Sequence, residues 1–418
     1  MVIHITSVTI GAITFRGVES IDRWRKELRE LAASLGLRVR RGAGALERLA
    51  DRDPYHIAGY RGYGREGRVL VLARVLQDEA LDPPEAGHSK ARNLVAMLKR
   101  LESDALPFAK VRARLPEGDR ELVADDEGFV REWLETTLAA DGEWASVHLE
   151  LPHPAGGHPR ATEAPILIPS SSASYGVISD MDDTVLQSEV TSFIRAARMV
   201  LLENARTRLP FAGVAAFYRA LADGAAGGKN PIFYVSSSPW NLYDVIAEFL
   251  EAEGIPSGPL LLRDWDFGPS VFRNAGHKTR LIREILETFG TLPFILIGDS
   301  AQEDPEIYAD IVSTHPNRIL AVYVRNVEPR PERSAAIQRL AERVTAAGAT
   351  LVLADDTLTI ASHASAHGWI REAALPEIRG EKRADEGGGG KADAPGVGTT
   401  PPTPTVVVDR DVGVADLE

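Results

Sequence analysis

The chain has 418 residues, with 60 Asp and Glu against 47 Lys and Arg, giving a formal net charge of −13. That balance excludes a broad phosphate-neutralising surface, so nucleic acid is not an expected partner. There is no cysteine, which excludes a cysteine nucleophile, thiolate metal ligands and disulfides.

At this length two domains and a tail are expected. Met1 to Phe15 lacks the basic start and long apolar core of a signal peptide. No apolar run approaches the roughly 20 residues of a transmembrane segment. A cytoplasmic protein is expected, with peripheral membrane contact left open. Ile21, Trp24, Leu28, Leu31 and Leu35 recur at helical spacing. The opposite face mixes Arg23, Arg25, Lys26 and Arg29 with Glu27 and Glu30. The interleaved acids weaken attraction to anionic lipid, so this helix is read as packing on its own domain.

From Tyr55 to about Leu151 the pattern changes to strands, at Arg68–Leu76, Lys110–Leu115 and Ser146–Leu151, with a helix at Ala91–Leu101 between them. A small, mainly antiparallel β domain with an N-terminal helix is predicted over 1–151. Gly62-Tyr63-Gly64-Arg65-Glu66-Gly67 matches a dinucleotide fingerprint, but a strand-like run follows where that motif needs a helix. It is read as a tight turn. Residues 152–174 are rich in Pro, Gly, Ser and Ala and read as a linker enclosing a short strand, Ile166–Ile168.

Beyond Tyr175 short apolar strands alternate with helices. Strands are predicted at Gly176–Ser179, Ile232–Val235, Leu260–Leu262, Phe294–Ile297, Leu320–Val324 and Leu351–Leu353. Helices are predicted at Phe193–Glu203, Phe211–Leu221, Tyr243–Glu253, Lys278–Phe289 and Pro305–Val312. Continuous apolar strands between helices imply an α/β domain, a parallel sheet covered on both faces, over 175–379. Residues 380–418, with four consecutive glycines and Pro401-Pro402-Thr403-Pro404, read as a disordered tail.

In an open parallel sheet, ligands bind at the carboxyl edge. Three predicted strands end there in polar residues: Asp180-Met181-Asp182-Asp183-Thr184, Ser236-Ser237-Ser238-Pro239, and Gly298-Asp299-Ser300 with Asp304 beyond. Lys278 opens a helix just before the last of them. Singly these are weak, because Asp-x-Asp also occurs at Asp51, Asp264 and Asp409. Ser236 would also suit a strand-to-helix turn, and Asp304-Pro305 a helix start. Together they suit phosphoryl transfer. A carboxylate attacks phosphorus, a second moves the proton, and a divalent cation with hard oxygen ligands, Mg²⁺, neutralises charge. A lysine and hydroxyls hold the phosphoryl oxygens.

Asp180-Met181-Asp182-Asp183-Thr184, Ser236, Lys278 and Gly298-Asp299 resemble, in order, the four motifs of the haloacid-dehalogenase superfamily. Phe233 to Tyr243, His277-Lys278 and Gly298 to Tyr308 resemble more closely the phosphatidate phosphatase catalytic domain of the actin-patch-protein type. The likeness covers roughly Tyr175 to Val327, and Tyr60-Arg61-Gly62-Tyr63-Gly64 fits that family's N-terminal region.

The resemblance implies a Rossmann-like haloacid-dehalogenase core, with Asp180 as nucleophile and Asp182 as general acid/base. It implies Ser236, Ser237 and Lys278 as phosphate-binding residues. Asp180, the main-chain carbonyl of Asp182, Asp299 and Asp304 would be the Mg²⁺ ligands, the capping role of Asp304 remaining an alternative. Ala301 stands where the family has glycine. His277 either touches substrate or caps its helix, and Arg263-Asp264-Trp265 either lines the entrance or closes a loop. The intervals between the motifs leave room for only a minimal cap, and an open site suits a phospholipid headgroup. Phosphatidate is the expected substrate. A phosphoprotein or soluble phosphomonoester remains an alternative, as does a non-catalytic module that binds phospholipid or protein.

Overall fold

A computed structural model describes residues 55–77, 105–140, 142–152, 160–181, 213–263, 276–327, 330–387 and 406–408. The helices predicted at 21–35, 91–101 and 193–203, and both intervals considered for a cap, lie wholly or partly outside these residues. Residues Asp53–Glu418 form one compact unit holding two seven-stranded sheets.

The first sheet contains β1 (Tyr55–Arg65), β2 (Gly67–Gln77), β3 (Lys110–Leu115), β4 (Gly118–Val123), β5 (Phe129–Thr136), β6 (Trp144–Leu151) and β7 (Arg160–Leu167). Their order is β4-β3-β6-β7-β1-β2-β5, antiparallel throughout except for the β1–β7 pair. Alternation builds its core: Val111, Ala113 and Leu115 of β3 point inward against Val69, Val71, Val147 and Ile166. The short strand expected at Ile166–Ile168 is longer and starts earlier. Residues 160–167 are a full strand, paired along its length with β6. Pro165 broke the strand pattern in the sequence, yet Ala164 and Ile166 beside it are fully buried. The glycine-rich stretch is a hairpin: Arg65 pairs with Arg68 around Glu66-Gly67, and Gly67 adopts φ +86°, which needs no dinucleotide.

β1 and β2 are buried on both faces. A β-bulge explains how. Tyr60 pairs with Leu72 and Tyr63 with Leu70, so β1 carries one extra residue there. Three residues apart, Tyr60 and Tyr63 would otherwise face opposite sides. The bulge turns both, with Leu70 and Leu72, into the second core. Tyr60 packs 5.3 Å from the Trp240 ring and 4.3 Å from Tyr243. Tyr63 meets Phe233 edge-on at 5.4 Å, and its hydroxyl donates to Glu284 at 2.9 Å. Arg131 of β5 pairs with the same carboxylate at 2.5 Å.

The second sheet contains β8 (Gly176–Asp180), β9 (Ile232–Pro239), β10 (Leu260–Arg263), β11 (Phe294–Asp299), β12 (Ile319–Arg325), β13 (Thr350–Ala354) and β14 (Val406–Val408). Its order is β10-β9-β8-β11-β12-β13-β14, parallel except for β14. Every residue of β8, β11 and β13 is buried, as expected of parallel strands covered on both sides. The helices are α1 (Val214–Asp223), α2 (Tyr243–Ala252), α3 (His277–Thr288), α4 (Asp304–Thr314), α5 (Pro331–Ala346), α6 (Thr357–Ala366) and α7 (Leu375–Gly387). Consecutive residues of β9 show the two coverings: Phe233 packs on Phe289 after α3 and Tyr234 on Tyr218 of α1. Parts of the stretch read as a tail are regular structure. Helix α7 continues to Gly387, with Ile378 fully buried, and Val406–Val408 pairs with β13.

A Cβ at Gly62 would stand 2.0 Å from the Leu70 carbonyl oxygen, a backbone atom that cannot swing away. Gly62→Ala is expected to cost more than about 2 kcal/mol by opening the bulge. Urea unfolding checks this, with a lower midpoint expected in the variant.

Candidate active site

Strand order places the site. The chain runs from β8 outward to β9 and β10, then returns to the other side of β8 for β11, β12 and β13. The β8–β11 boundary is therefore the topological switch point, where a crevice opens at the carboxyl edge. Asp180 ends β8 and Asp299 ends β11, with Ser179 in register with Ile297. On the other side Asp180 pairs with Val235, which puts Ser236 at the same edge. Helices α3 and α4 begin there too, carrying Lys278 and Asp304.

The side chains converge. Asp180, Asp299 and Asp304 are at most 1% exposed, and each offers a carboxylate oxygen within 4.8 Å of the others. The Lys278 ammonium, 6% exposed, sits 2.7 Å from Asp180 Oδ1 and 2.7 Å from Asp304 Oδ1. It also donates to Gln302 Oε1 at 3.3 Å. Three formal carboxylates against one ammonium leave two negative charges in a buried pocket, which is costly without a further cation. This hard-oxygen donor set fits Mg²⁺. The surroundings register the same potential. The Tyr308 hydroxyl is pushed well above its ordinary pKa by burial, then by Asp304, Asp180 and Asp299.

Local contacts fix each group. Asp299 Oδ1 accepts the backbone N–H of Ala301 at 2.6 Å and of Gln302 at 3.0 Å, which folds the loop back over the strand end. Asp304 Oδ2 accepts the Asp299 N–H at 3.3 Å. Glu303 is the N-cap of α4, without a side-chain cap bond, and Asp304 is the first residue of the helix. Asp304 reaches the site because Gly298 leaves room, since a Cβ there would lie 2.6 Å from Asp304 Oδ2. Ala301 fits where glycine was expected, because its φ is not positive. Behind Asp180, Ser179 Oγ donates to the Asp180 carbonyl at 2.8 Å and lies 2.6 Å from the Tyr218 hydroxyl.

Ser236 is fully buried, and its Oγ accepts the Ser238 N–H at 2.9 Å, the turn role that its sequence position allowed. Ser237 is exposed at the rim. Asp182, Asp264 and Trp265 lie outside the described residues. Gln302 was missed as a site residue, although it sits in the Gly298–Tyr308 run. The N-cap of α3 is Gly276, at φ +89°, so His277 does not cap it. Its ring lies 3.4 Å from the Arg280 guanidinium.

Residues 175–326 match the model of the family described as the catalytic domain of phosphatidate phosphatase APP1. Over 154 residues the chain is 34% identical to phosphatidate phosphatase APP1 of Saccharomyces cerevisiae, covering 36% of this chain and 25% of that protein. Over 172 residues it is 27% identical to an uncharacterized protein of Schizosaccharomyces pombe, covering 40% and 27%. The chain thus spans about a quarter of the length of these relatives. Among solved structures, the PilB minor pilin of Streptococcus sanguinis shares 10% identity at TM-score 0.24, over 87% of this chain and 98% of that one. A β-glucuronidase of Parabacteroides merdae shares 8% at TM-score 0.21, over 71% and 33%. Neither of these likenesses bears on fold or activity.

Burial, then Arg280, Arg263 and Arg131, depress the His277 pKa to about 4, from an ordinary value of about 6.5. Between those values the unfolded chain binds a proton that the folded chain does not, so this group destabilises the fold progressively as pH falls through that window. His277→Asn is expected to gain Tm relative to wild type as pH drops from about 6.5 to about 4. A Tm difference that stays constant across the window refutes the shift.

Proposed function

We propose that this chain is a Mg²⁺-dependent phosphatase of the haloacid-dehalogenase type that hydrolyses phosphatidate to diacylglycerol and phosphate. The observation that carries this reading is the buried cluster of Asp180, Asp299, Asp304 and Lys278 at the switch point of the matched domain. The named activity of the Saccharomyces cerevisiae relative supports the substrate.

Asp180 Oδ attacks phosphorus, forming an aspartyl-phosphate as the bond to the lipid oxygen breaks. Asp182 gives that oxygen its proton, so diacylglycerol leaves neutral. Asp182 then takes a proton from water as it attacks phosphorus, which regenerates the Asp180 carboxylate and releases phosphate. Lys278 already touches Asp180 and Asp304, and would hold a phosphoryl oxygen while keeping the nucleophile aimed. Ser236 and Ser237 border the same edge and would donate to the remaining oxygens. Asp180, Asp299, Asp304 and the main-chain carbonyl of Asp182 would hold Mg²⁺. When bound, that ion neutralises the nucleophile and the phosphoryl dianion.

Phosphate release from phosphatidate vesicles with Mg²⁺ tests this. Asp180→Asn keeps shape but removes the nucleophilic charge, and is expected to lower kcat by about 10³ or more. Lys278→Met is expected to lower it by about 10²-fold, and EDTA to abolish turnover. Good turnover of a soluble phosphomonoester with none on vesicles would exclude phosphatidate and favour a soluble or protein phosphoester. No turnover of either would leave a binding module.

A further inference from the structure

We propose that Arg333, on α5 and beyond the matched family segment, is a positioning residue that sets the carboxylate loop between β11 and α4. The proposal rests on the function proposed above for that cluster.

The loop Ser300–Glu303 joins Asp299 to Asp304, and Arg333 grips it with two nitrogens of its guanidinium while the fork also pairs with Glu306 on α4. Nε donates to the Ser300 carbonyl at 2.8 Å, and one terminal nitrogen to the Gln302 carbonyl at 2.5 Å. That same nitrogen reaches Glu306 Oε2 at 3.0 Å, while the other pairs with Glu306 Oε1. Burial alone would raise the Glu306 pKa, but the Arg333 hydrogen bond, a backbone hydrogen bond and the Arg333 charge together outweigh it and hold the carboxyl below its ordinary value.

Gln302 is consequently held at three points. Its N–H is bound to Asp299, its carbonyl to Arg333 and its side-chain oxygen to Lys278. One residue thus separates the guanidinium from both a carboxylate of the cluster and the lysine that bridges the other two. A staple between α5 and α4 would need only the Glu306 pair. The two bonds to loop carbonyls are what a staple does not require. Both come from the planar fork of arginine, which lysine cannot reproduce.

This contrast supplies the test. Arg333→Lys keeps the charge and the partner for Glu306 but loses the fork, while Arg333→Met loses both. Arg283→Met is the control. It breaks an exposed ion pair between α3 and α4, Arg283 to Asp310 at 3.2 Å, that touches no loop backbone. Two readouts are taken on the full chain: the Mg²⁺ concentration giving half the maximal rise in Tm, and kcat on phosphatidate vesicles and a soluble phosphomonoester.

Arg333→Lys and Arg333→Met are both expected to raise the half-saturating Mg²⁺ concentration and lower kcat by about 10-fold or more, as loss of outer support to ligands does. Arg283→Met is expected to leave both unchanged. Wild-type behaviour of Arg333→Lys would overturn the proposal and reduce Arg333 to a helix staple, with the carboxylate site intact. A wild type showing neither a Mg²⁺ response nor turnover would overturn the site reading, and this proposal with it. If Arg333→Met fails to fold, the lysine variant alone decides.

Discussion

The Lys278 ammonium between Asp180 and Asp304 is the interaction on which the rest of the site depends. A buried lysine is expensive unless paired, and buried carboxylates are more so when crowded. Two contacts of 2.7 Å pair opposite formal charges and fix their separation. The lysine does not balance the cluster, because Asp299 is a third carboxylate within reach of the other two. A phosphoryl dianion would be repelled by that surplus. The proposed Mg²⁺ answers both problems: it completes the local charge and gives the dianion something to approach.

That arrangement demands that four chain segments arrive at one place, and the sheet does this almost without help from loops. Asp180 and Asp299 are the last residues of neighbouring strands, so ladder hydrogen bonds hold them level. Lys278 and Asp304 stand in the first turns of helices, where a short rigid element aims the side chain. Gly298 removes the one Cβ that would obstruct Asp304. Such a site is set before any ligand binds, which is the condition for electrostatic stabilisation to act on a transition state.

Most of this was legible in the sequence, for identifiable reasons. Apolar runs such as Phe294–Ile297 are unbroken because both faces are buried, and period and length suffice to name them as strands. The polar residues that close them then locate the carboxyl edge, so Asp180, Lys278, Asp299 and Asp304 follow. Other features depend on contacts that no local pattern encodes. The bulge at Tyr60–Tyr63 shows only as a glycine between aromatics. The strand Arg160–Leu167 was hidden because Pro165 breaks its pattern, and the sequence before it is rich in glycine and proline. Arg333 looks like any surface arginine of an amphipathic helix. Its partners are carbonyls, which have no sequence signature at all.

Helix α3 shows that the matched segment is held by residues outside it. Lys278 lies in its first turn and Glu284 six positions on, about 9 Å further along the axis. Glu284 receives Tyr63 of β1 and Arg131 of β5, so the first sheet grips the middle of the helix whose start presents the lysine. From the other side of the chain, α5 grips the carboxylate loop through Arg333. Neither Tyr63, Arg131 nor Arg333 falls within 175–326. Glu284 and Lys278 thus belong to one rigid element, held by the first sheet at its middle. The elements within 175–326 carry the clustered side chains, and the elements flanking them in sequence hold those elements in place.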